Sequence, residues 1–314
     1  MAWNKVALSA ADQAYHNDNK PFLSATRGPD AIDTVTTEDP QWNNVGDMTL
    51  PDDNDSDYPA ERAIDRNALA RTRPATNWTA TSIYFCLEIP SGLVANLDHV
   101  AIIGHNFDTE PNVTQVKVQI DDFPDFQNNV GSTLKDLCTW TAPFDSGRLV
   151  CTELDGGINK FELVTNIRIE ITVGAGNHKP EIGEFWFGTR RQLPHWPRNP
   201  WDIHHKGLSS REQFRSEAGA VSTYARHVGR GDLTMNMRFA TEANADILRG
   251  AWSDLNYGSH NGLLVPRPDS TPQDARIMSF PPPGLLNAQT QNPALALYSL
   301  PMEEVAPFVG PEGV

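Results

Sequence analysis

The side chains of this chain whose types and spacing could do chemistry fall into a few short stretches. Asp53-Asn54-Asp55-Ser56-Asp57 places carboxylates at alternate positions, the spacing with which a calcium loop presents oxygen ligands. Such a loop also needs a glycine at its sharp turn and a bidentate Glu farther on. Neither stands here, so a solvated acidic loop is expected. His195, Asp202, His204 and His205 could ligate a metal. Adjacent histidines seldom converge on one ion, and proline and tryptophan dominate the segment, so a linker that docks on a neighbour is expected instead. His99 and His105 flank an apolar run and read as strand-end histidines bonded to backbone. Ser209 and Ser210 stand near His204 and Glu212 but lack the Gly-x-Ser-x-Gly elbow of a nucleophile. Arg230-Gly231-Asp232 matches an adhesion tripeptide and reads as a turn into a strand. Gly-rich phosphate loops are absent. Trp42, Trp78 and Trp140 could stack on sugar rings, although one or two are expected in the core. The expectation is a non-enzyme with no catalytic, cofactor-binding or metal residue.

Composition narrows the classes. The 314 residues suffice for two domains, and 39% hydrophobic against 21% charged residues permits a packed core. Net charge is −15, so phosphate backbones and anionic lipid heads are repelled; neither nucleic acid nor membrane insertion is expected. No stretch reaches the length of a membrane-spanning helix, and the apolar N-terminal stretch is too short for a signal peptide. Cys86, Cys138 and Cys151 are an odd set in apolar contexts with no Cys-x-x-Cys. They are expected as buried reduced thiols, which suits folding in a reducing cytoplasm.

The positioning elements are mostly strands. Val113 to Ile120 alternates apolar and polar residues, and Ile167, Ile169 and Ile171 repeat that period. Ile83 to Ile89, His99 to Asn106 and Glu181 to Phe187 read as further strands, as do 221–225, 232–239, 263–266, 276–280 and 294–300. One helix follows Thr241, its N-cap, with Ile247, Leu248, Ala251 and Leu255 on one face and Gly258 as its end. Residues 30–57 read as a surface loop, and Pro194, Pro197 and Pro200 mark the best domain boundary.

Two resemblances rest on these residues. The block from Tyr58 to Phe187 resembles the discoidin, or galactose-binding-like, jelly roll. The carrying elements are Ala63-Ile64-Asp65, Thr76-Asn77-Trp78, Val100 to Asn106, Asn166 to Ile171 and Glu181 to Glu184. The whole chain is similar to tailed-phage virion proteins of the distal-tail or tail-tip kind. That likeness rests on Arg215 to Gly219, Leu248 to Leu255, Gly258 to Pro266 and Tyr298 to Val305. Such proteins often carry the ring domain first, whereas here the order is reversed.

The expected fold is mainly β: an N-terminal jelly-roll β-sandwich followed by a smaller β-rich domain with one helix. Its divisions are an arm and acidic loop at 1–57, the sandwich at 58–190, a Pro-rich linker at 191–206 and an assembly domain at 207–314. The phage resemblance implies a non-enzymatic virion structural protein, assembled in the host cytoplasm into a homo-oligomeric tail ring. Six-fold symmetry is expected, three-fold is the alternative, and other tail proteins are the partners. The runs Arg190 to Lys206 and Pro301 to Val314, with Trp196, Trp201 and Phe308, are expected to lie on a neighbouring copy. The alternatives are a carbohydrate-binding adhesion module for a host surface and a hydrolase bearing an accessory sandwich.

Overall fold

The computed structural model describes residues 3–17, 19–27, 40–44, 46, 53–65, 70–79, 81–89, 95–126, 133–145, 147–194, 204–205, 211–215, 221–225, 231–239, 241–255, 260–279, 287–292 and 295–304. The chain begins with β1 (Asn4–Ala7), α1 (Ala10–Asn17), β2 (Phe22–Arg27) and β3 (Gln41–Asn43). There follow β4 (Ser82–Glu88), β5 (Ala95–Leu97), β6 (His99–Ile103), β7 (Val113–Asp121), β8 (Lys135–Thr141), β9 (Arg148–Cys151), β10 (Asn159–Val164), β11 (Asn166–Val173) and β12 (Glu184–Gln192). The C-terminal part supplies β13 (His204–His205), β14 (Arg211–Arg215), β15 (Val221–Ala225), β16 (Gly231–Phe239), α2 (Glu242–Asp254), β17 (Gly262–Val265), β18 (Arg276–Ser279), β19 (Asn287–Asn292) and β20 (Leu295–Glu304).

The protein is mainly β, as its alternating pattern predicts. A five-stranded antiparallel sheet runs β3-β4-β11-β7-β8. A longer sheet runs β13-β16-β20-β18-β17-β2-β12-β6-β9, with β19 on β20. Small sheets β1-β10-β5 and β14-β15 complete the set. The sandwich core lies between the five-stranded sheet and the β6–β12 part of the long one. Ile83, Phe85 and Leu87, Val116, Val118 and Ile120, and Ile167, Ile169 and Ile171 meet Val100, Ile102, Phe185 and Phe187 there. Each side chain so enclosed contributes about 1.5–3 kcal/mol. The other face of β6 and β12 is buried too. Ala101, Ile103 and Trp186 pack with Phe22 of β2, Leu263 and Val265 of β17 and Ile277 of β18. Burial on both faces explains why Val100 to Ile103 of β6 and Phe185 to Phe187 of β12 are unbroken apolar runs while β7 and β11 alternate.

Several expectations are corrected by this topology. The segment expected as an arm contains β2, which lies between β12 and β17. Residues on both sides of the Pro-rich stretch therefore share one sheet. The acidic stretch 30–57 contains β3, and Trp42 on it is fully enclosed and donates from Nε1 to Thr72 Oγ1 at 2.9 Å. A second helix, α1, precedes β2; Ser9 Oγ accepts from the Asp12 backbone N–H at 3.2 Å and opens it. Pro301 to Glu304, expected as the start of an arm with Glu303 and Glu304 extending the last strand, end β20, where Pro301 opposes Thr234 of β16 and Glu304 opposes Met278 of β18.

Helix α2 forms as its sequence predicts. Thr241 Oγ1 accepts from the Asn244 N–H at 3.3 Å, and Leu248, Ala251 and Leu255 are buried where the helix lies against β2 and β12. Ile247 is only half-buried; Ala245 and Trp252 complete the covered face instead. A Cβ on Gly262 would come within 2.7 Å of Leu255 Cδ2, so the strand approaches the helix this closely only because that side chain is missing. Gly258 lies outside the described residues.

A buried polar network fixes the start of β6. Asp98 and Arg190 are both enclosed, with Arg190 Nε 3.2 Å from Asp98 Oδ1. The Arg190 backbone N–H also donates to Asp98 Oδ1 at 3.1 Å, and its Nη2 donates to the carbonyls of Asp98 at 2.6 Å and Thr152 at 2.8 Å. His99 Nδ1 stands 2.8 Å from Asp98 Oδ1, so its partner is a carboxylate and not the backbone. Burial works against ionisation of Asp98, yet the Arg190 guanidinium and the His99 ring hold its carboxyl below the usual range. Burial pushes the His99 imidazole down, so it stays neutral beside the ion pair. At the far end of β6, His105 stacks on Phe107 with ring centroids 4.6 Å apart, and its Nδ1 accepts from the Phe107 N–H at 3.2 Å. Burial lowers its pKa to about 4.

Two outcomes are expected from these groups. Asp98→Ala leaves the Arg190 charge buried without its carboxylate, which costs about 3–5 kcal/mol. Urea unfolding measures it, and a loss below ~1 kcal/mol would contradict the buried pair. Because the folded His105 pKa lies below its unfolded value, its contribution is full above pH ~6.5 and is lost as pH falls toward 4. At pH 5 this one group should cost roughly 2 kcal/mol relative to pH 8. Stability measured at both values should therefore fall less for His105→Gln than for the unaltered chain.

Candidate functional site: a charged loop surface at one end of the sandwich

Strand directions bring several connections to one end. The ends of β3, β6 and β11 and the starts of β4, β7 and β12 all open there. Their loops are tied to each other by short bridges, Asn54 to Pro74, Thr72 to Ile182 and Trp78 to His178. These bridges satisfy loop backbone groups by pairing the loops with one another.

The charges on these loops form a connected set. Arg71 Nη1 bonds Glu181 Oε2 at 2.7 Å. Arg73 Nε bonds Asp55 Oδ2 at 3.0 Å, and its Nη1 stands 3.6 Å from Glu181 Oε1. Its guanidinium also lies over the Tyr58 ring, 3.6 Å from the centroid. Lys179 Nζ reaches Asp55 Oδ2 at 3.4 Å and the Ala75 carbonyl at 3.0 Å. Behind them, Asn106 Oδ1 accepts from the Glu181 N–H at 2.8 Å, and Glu110 Oε1 accepts from the Lys179 N–H at 3.0 Å. The Asp57 N–H, with Arg73 and Lys179, holds the Asp55 carboxyl below its usual range. The outer members remain accessible: the Arg71 side chain is 39% exposed and that of Glu181 20%. An exposed ion pair contributes only about 0–1 kcal/mol to stability, so the fold does not need this arrangement. What it offers chemically is a fixed set of guanidinium and ammonium donors beside carboxylate acceptors.

The residues singled out by the sequence are distributed differently. Asp53, Asp55 and Asp57 do not converge on a cation. Asp53 Oδ2 is taken by the Thr76 hydroxyl at 2.7 Å, and Asp55 is held by Arg73 and Lys179. Among the described residues no group of His, Cys, Asp and Glu is arranged to hold a metal. His99 and His105 are framework residues, as above. Trp42 is core, Trp78 is buried, and Trp140 is partly buried against the sandwich core. His204 and His205 lie on β13 opposite Asp232 and Gly231, and Glu212 lies on β14 opposite Tyr224. His195, Asp202, Ser209, Ser210, Arg230, Trp196, Trp201 and Phe308 lie outside the described residues. Arg71, Arg73 and Lys179 carry no motif, while Glu181 opens the Glu181 to Glu184 element of the jelly-roll resemblance. The other local sign is the Tyr58 to Asp65 and Thr76 to Trp78 pair of elements, which brackets Arg71 and Arg73.

The chain was compared with known proteins. No protein-family model matches it, and no curated protein does. Among solved structures it is similar to chitosan-binding module 1 of a chitosanase/glucanase from Paenibacillus. That likeness has 13% identity and TM-score 0.33, over 48% of this chain and 95% of that one. It is similar to a family 32 carbohydrate-binding module of Clostridium perfringens NanJ, solved with galactose, at 15% identity and TM-score 0.29 over 43% and 88% of the two chains. It is also similar to part of a Ruminococcus gnavus GH29 fucosidase solved with fucose. There the identity is 16% and the TM-score 0.29, over 42% of this chain and only 22% of the fucosidase.

Proposed function

We propose that this protein is a non-catalytic carbohydrate-binding protein and that the loop surface around Arg71, Arg73, Lys179 and Glu181 is where a glycan docks. The observation that carries the reading is the accessible Arg71–Glu181 pair, buttressed by Arg73 and Asn106, at the loop end of a rigid sandwich. Sugar hydroxyls are both donors and acceptors, and they are recognised best by fixed charged groups of both signs. Binding residues are commonly carried on loops positioned by a rigid scaffold. The jelly-roll resemblance of residues 58–187 implies the same ligand class. A net charge of −15 makes the preferred glycan neutral or amine-bearing and not sulfated or sialylated. The tail-ring reading gains no support: the C-terminal run named for subunit contact begins inside β20.

A glycan array probed with the intact chain, followed by calorimetry on the best binders, tests the proposal. Arg71→Ala should weaken binding about tenfold or more, the effect of losing roughly 1.5 kcal/mol or more of charge-assisted bonding. Its unfolding free energy should stay within about 0.5 kcal/mol of the unaltered chain, as expected of a surface change. An array without binders, or binders indifferent to both Arg71→Ala and Glu181→Ala, would overturn the assignment.

A further inference from the structure

Two of the three thiols end facing rows of the sandwich core. In the five-stranded sheet, one row runs Trp42, Phe85, Ile169, Val118 and Cys138, each residue opposite the next. In the long sheet, the facing row runs Phe187, Val100 and Cys151. Every other member of both rows belongs to the sandwich core, and both cysteines pack against it. The strands that carry them, β8 and β9, are the terminal strands of their sheets. The turn after β9 is clamped to β8 by Lys135 Nζ on Asp155 Oδ1 at 2.7 Å. Cys151 Sγ donates to the Glu153 carbonyl at 3.3 Å. Cys86 stands on the opposite face of its sheet, since its neighbours Phe85 and Leu87 point into the core.

We propose that Cys138 and Cys151 form a redox-active pair that closes into a disulfide, stapling the open edge of the sandwich. The oxidant class is a low-molecular-weight disulfide such as oxidised glutathione. One thiolate attacks a glutathione sulfur, forming a mixed disulfide and expelling glutathione thiolate. The second cysteine then attacks the protein-bound sulfur, the S–S bond between the two cysteines forms, and a second glutathione leaves. Two thiol protons and two electrons pass to the oxidant, giving two reduced glutathione molecules. The order of attack follows from the surroundings. The Cys138 thiol, hydrogen-bonding to Cys151, holds the latter below the usual thiol range, while burial pushes Cys138 well above it. Cys151 is therefore the first nucleophile and Cys138 the resolving thiol. Both are half-buried, which leaves a route for the oxidant.

The test uses the intact folded chain, incubated with oxidised glutathione and blocked with N-ethylmaleimide before unfolding. The free thiol count should fall from three to one, with a linked peptide pair containing Cys138 and Cys151 in the digest. The oxidised form should melt at higher temperature, and dithiothreitol should reverse this. Cys138→Ser should stop at glutathione bound to Cys151, and Cys86→Ser should still give the link. Three unreacted thiols, a link through Cys86, or stable glutathionylation of the unaltered chain would each overturn the proposal.

Discussion

The arrangement of this protein depends on one buried ion pair, Asp98 with Arg190. A carboxylate and a guanidinium removed from water are tolerable only when they pair and find further hydrogen bonds. Here the His99 ring, the Arg190 amide and the Thr152 carbonyl supply several of those bonds, while Arg190 Nη1 is buried without a hydrogen-bond partner among the described residues. The Phe22 ring of β2 lies under the guanidinium at 4.9 Å, so the inserted strand is part of the same assembly. Thr152 in turn donates to the Pro268 carbonyl at 2.7 Å and ties in the C-terminal part of the chain. A slip of any of these segments would strand a charge in an apolar site. The pair therefore acts as a registration device, and it sits where the sandwich and the sheet extension meet.

The candidate binding surface stands at the opposite end of β6 from that pair. Its polar groups are held by backbone bridges between loops and not by burial. The division of labour is physical. The buried network fixes where β6 and β12 lie, and the loops at their other ends then present charges in a set geometry. Few of those charges are needed for the fold, so their identity could change without unfolding the scaffold. This separation lets one sandwich serve different ligands.

Much of the sandwich is legible in the sequence. Val113 to Ile120 and Asn166 to Val173 alternate, and both are central strands. Helix α2 announces itself through Thr241 and the spacing of Leu248, Ala251 and Leu255. Other elements are opaque for identifiable reasons. Phe22-Leu23-Ser24-Ala25-Thr26-Arg27 has no clear period because consecutive residues Phe22, Leu23 and Ser24 are all buried, so both faces of the strand are covered. Trp42 hides in an acidic stretch whose composition speaks for solvent. The boundary suggested by prolines marks a change in composition, not a break in the sheet. Asp55 and Glu181 stand in stretches that the sequence singles out, but their joining could not be read: Arg71 and Glu181 are 110 positions apart and meet only through topology.

The insertion of β2 has a consequence for how the chain comes into being. β2 is made early, yet the strands that flank it, β12 and β17, come from far later in the chain. The Ser24 hydroxyl waits for Trp186, 162 positions later, and Asn19 waits for Ser270, 251 positions later. At about 5–20 residues per second, the ribosome needs roughly 10–50 s to deliver that last segment. Until β12 emerges both edges of β2 are unpaired, and until β17 emerges one still is, the state most prone to pair with the wrong partner. Contacts this remote also make closure of the long sheet slow once the chain is released. Yield in a cell is thus governed by how long a nascent strand can be kept from its neighbours, a property of connectivity that no gain in core packing would shorten.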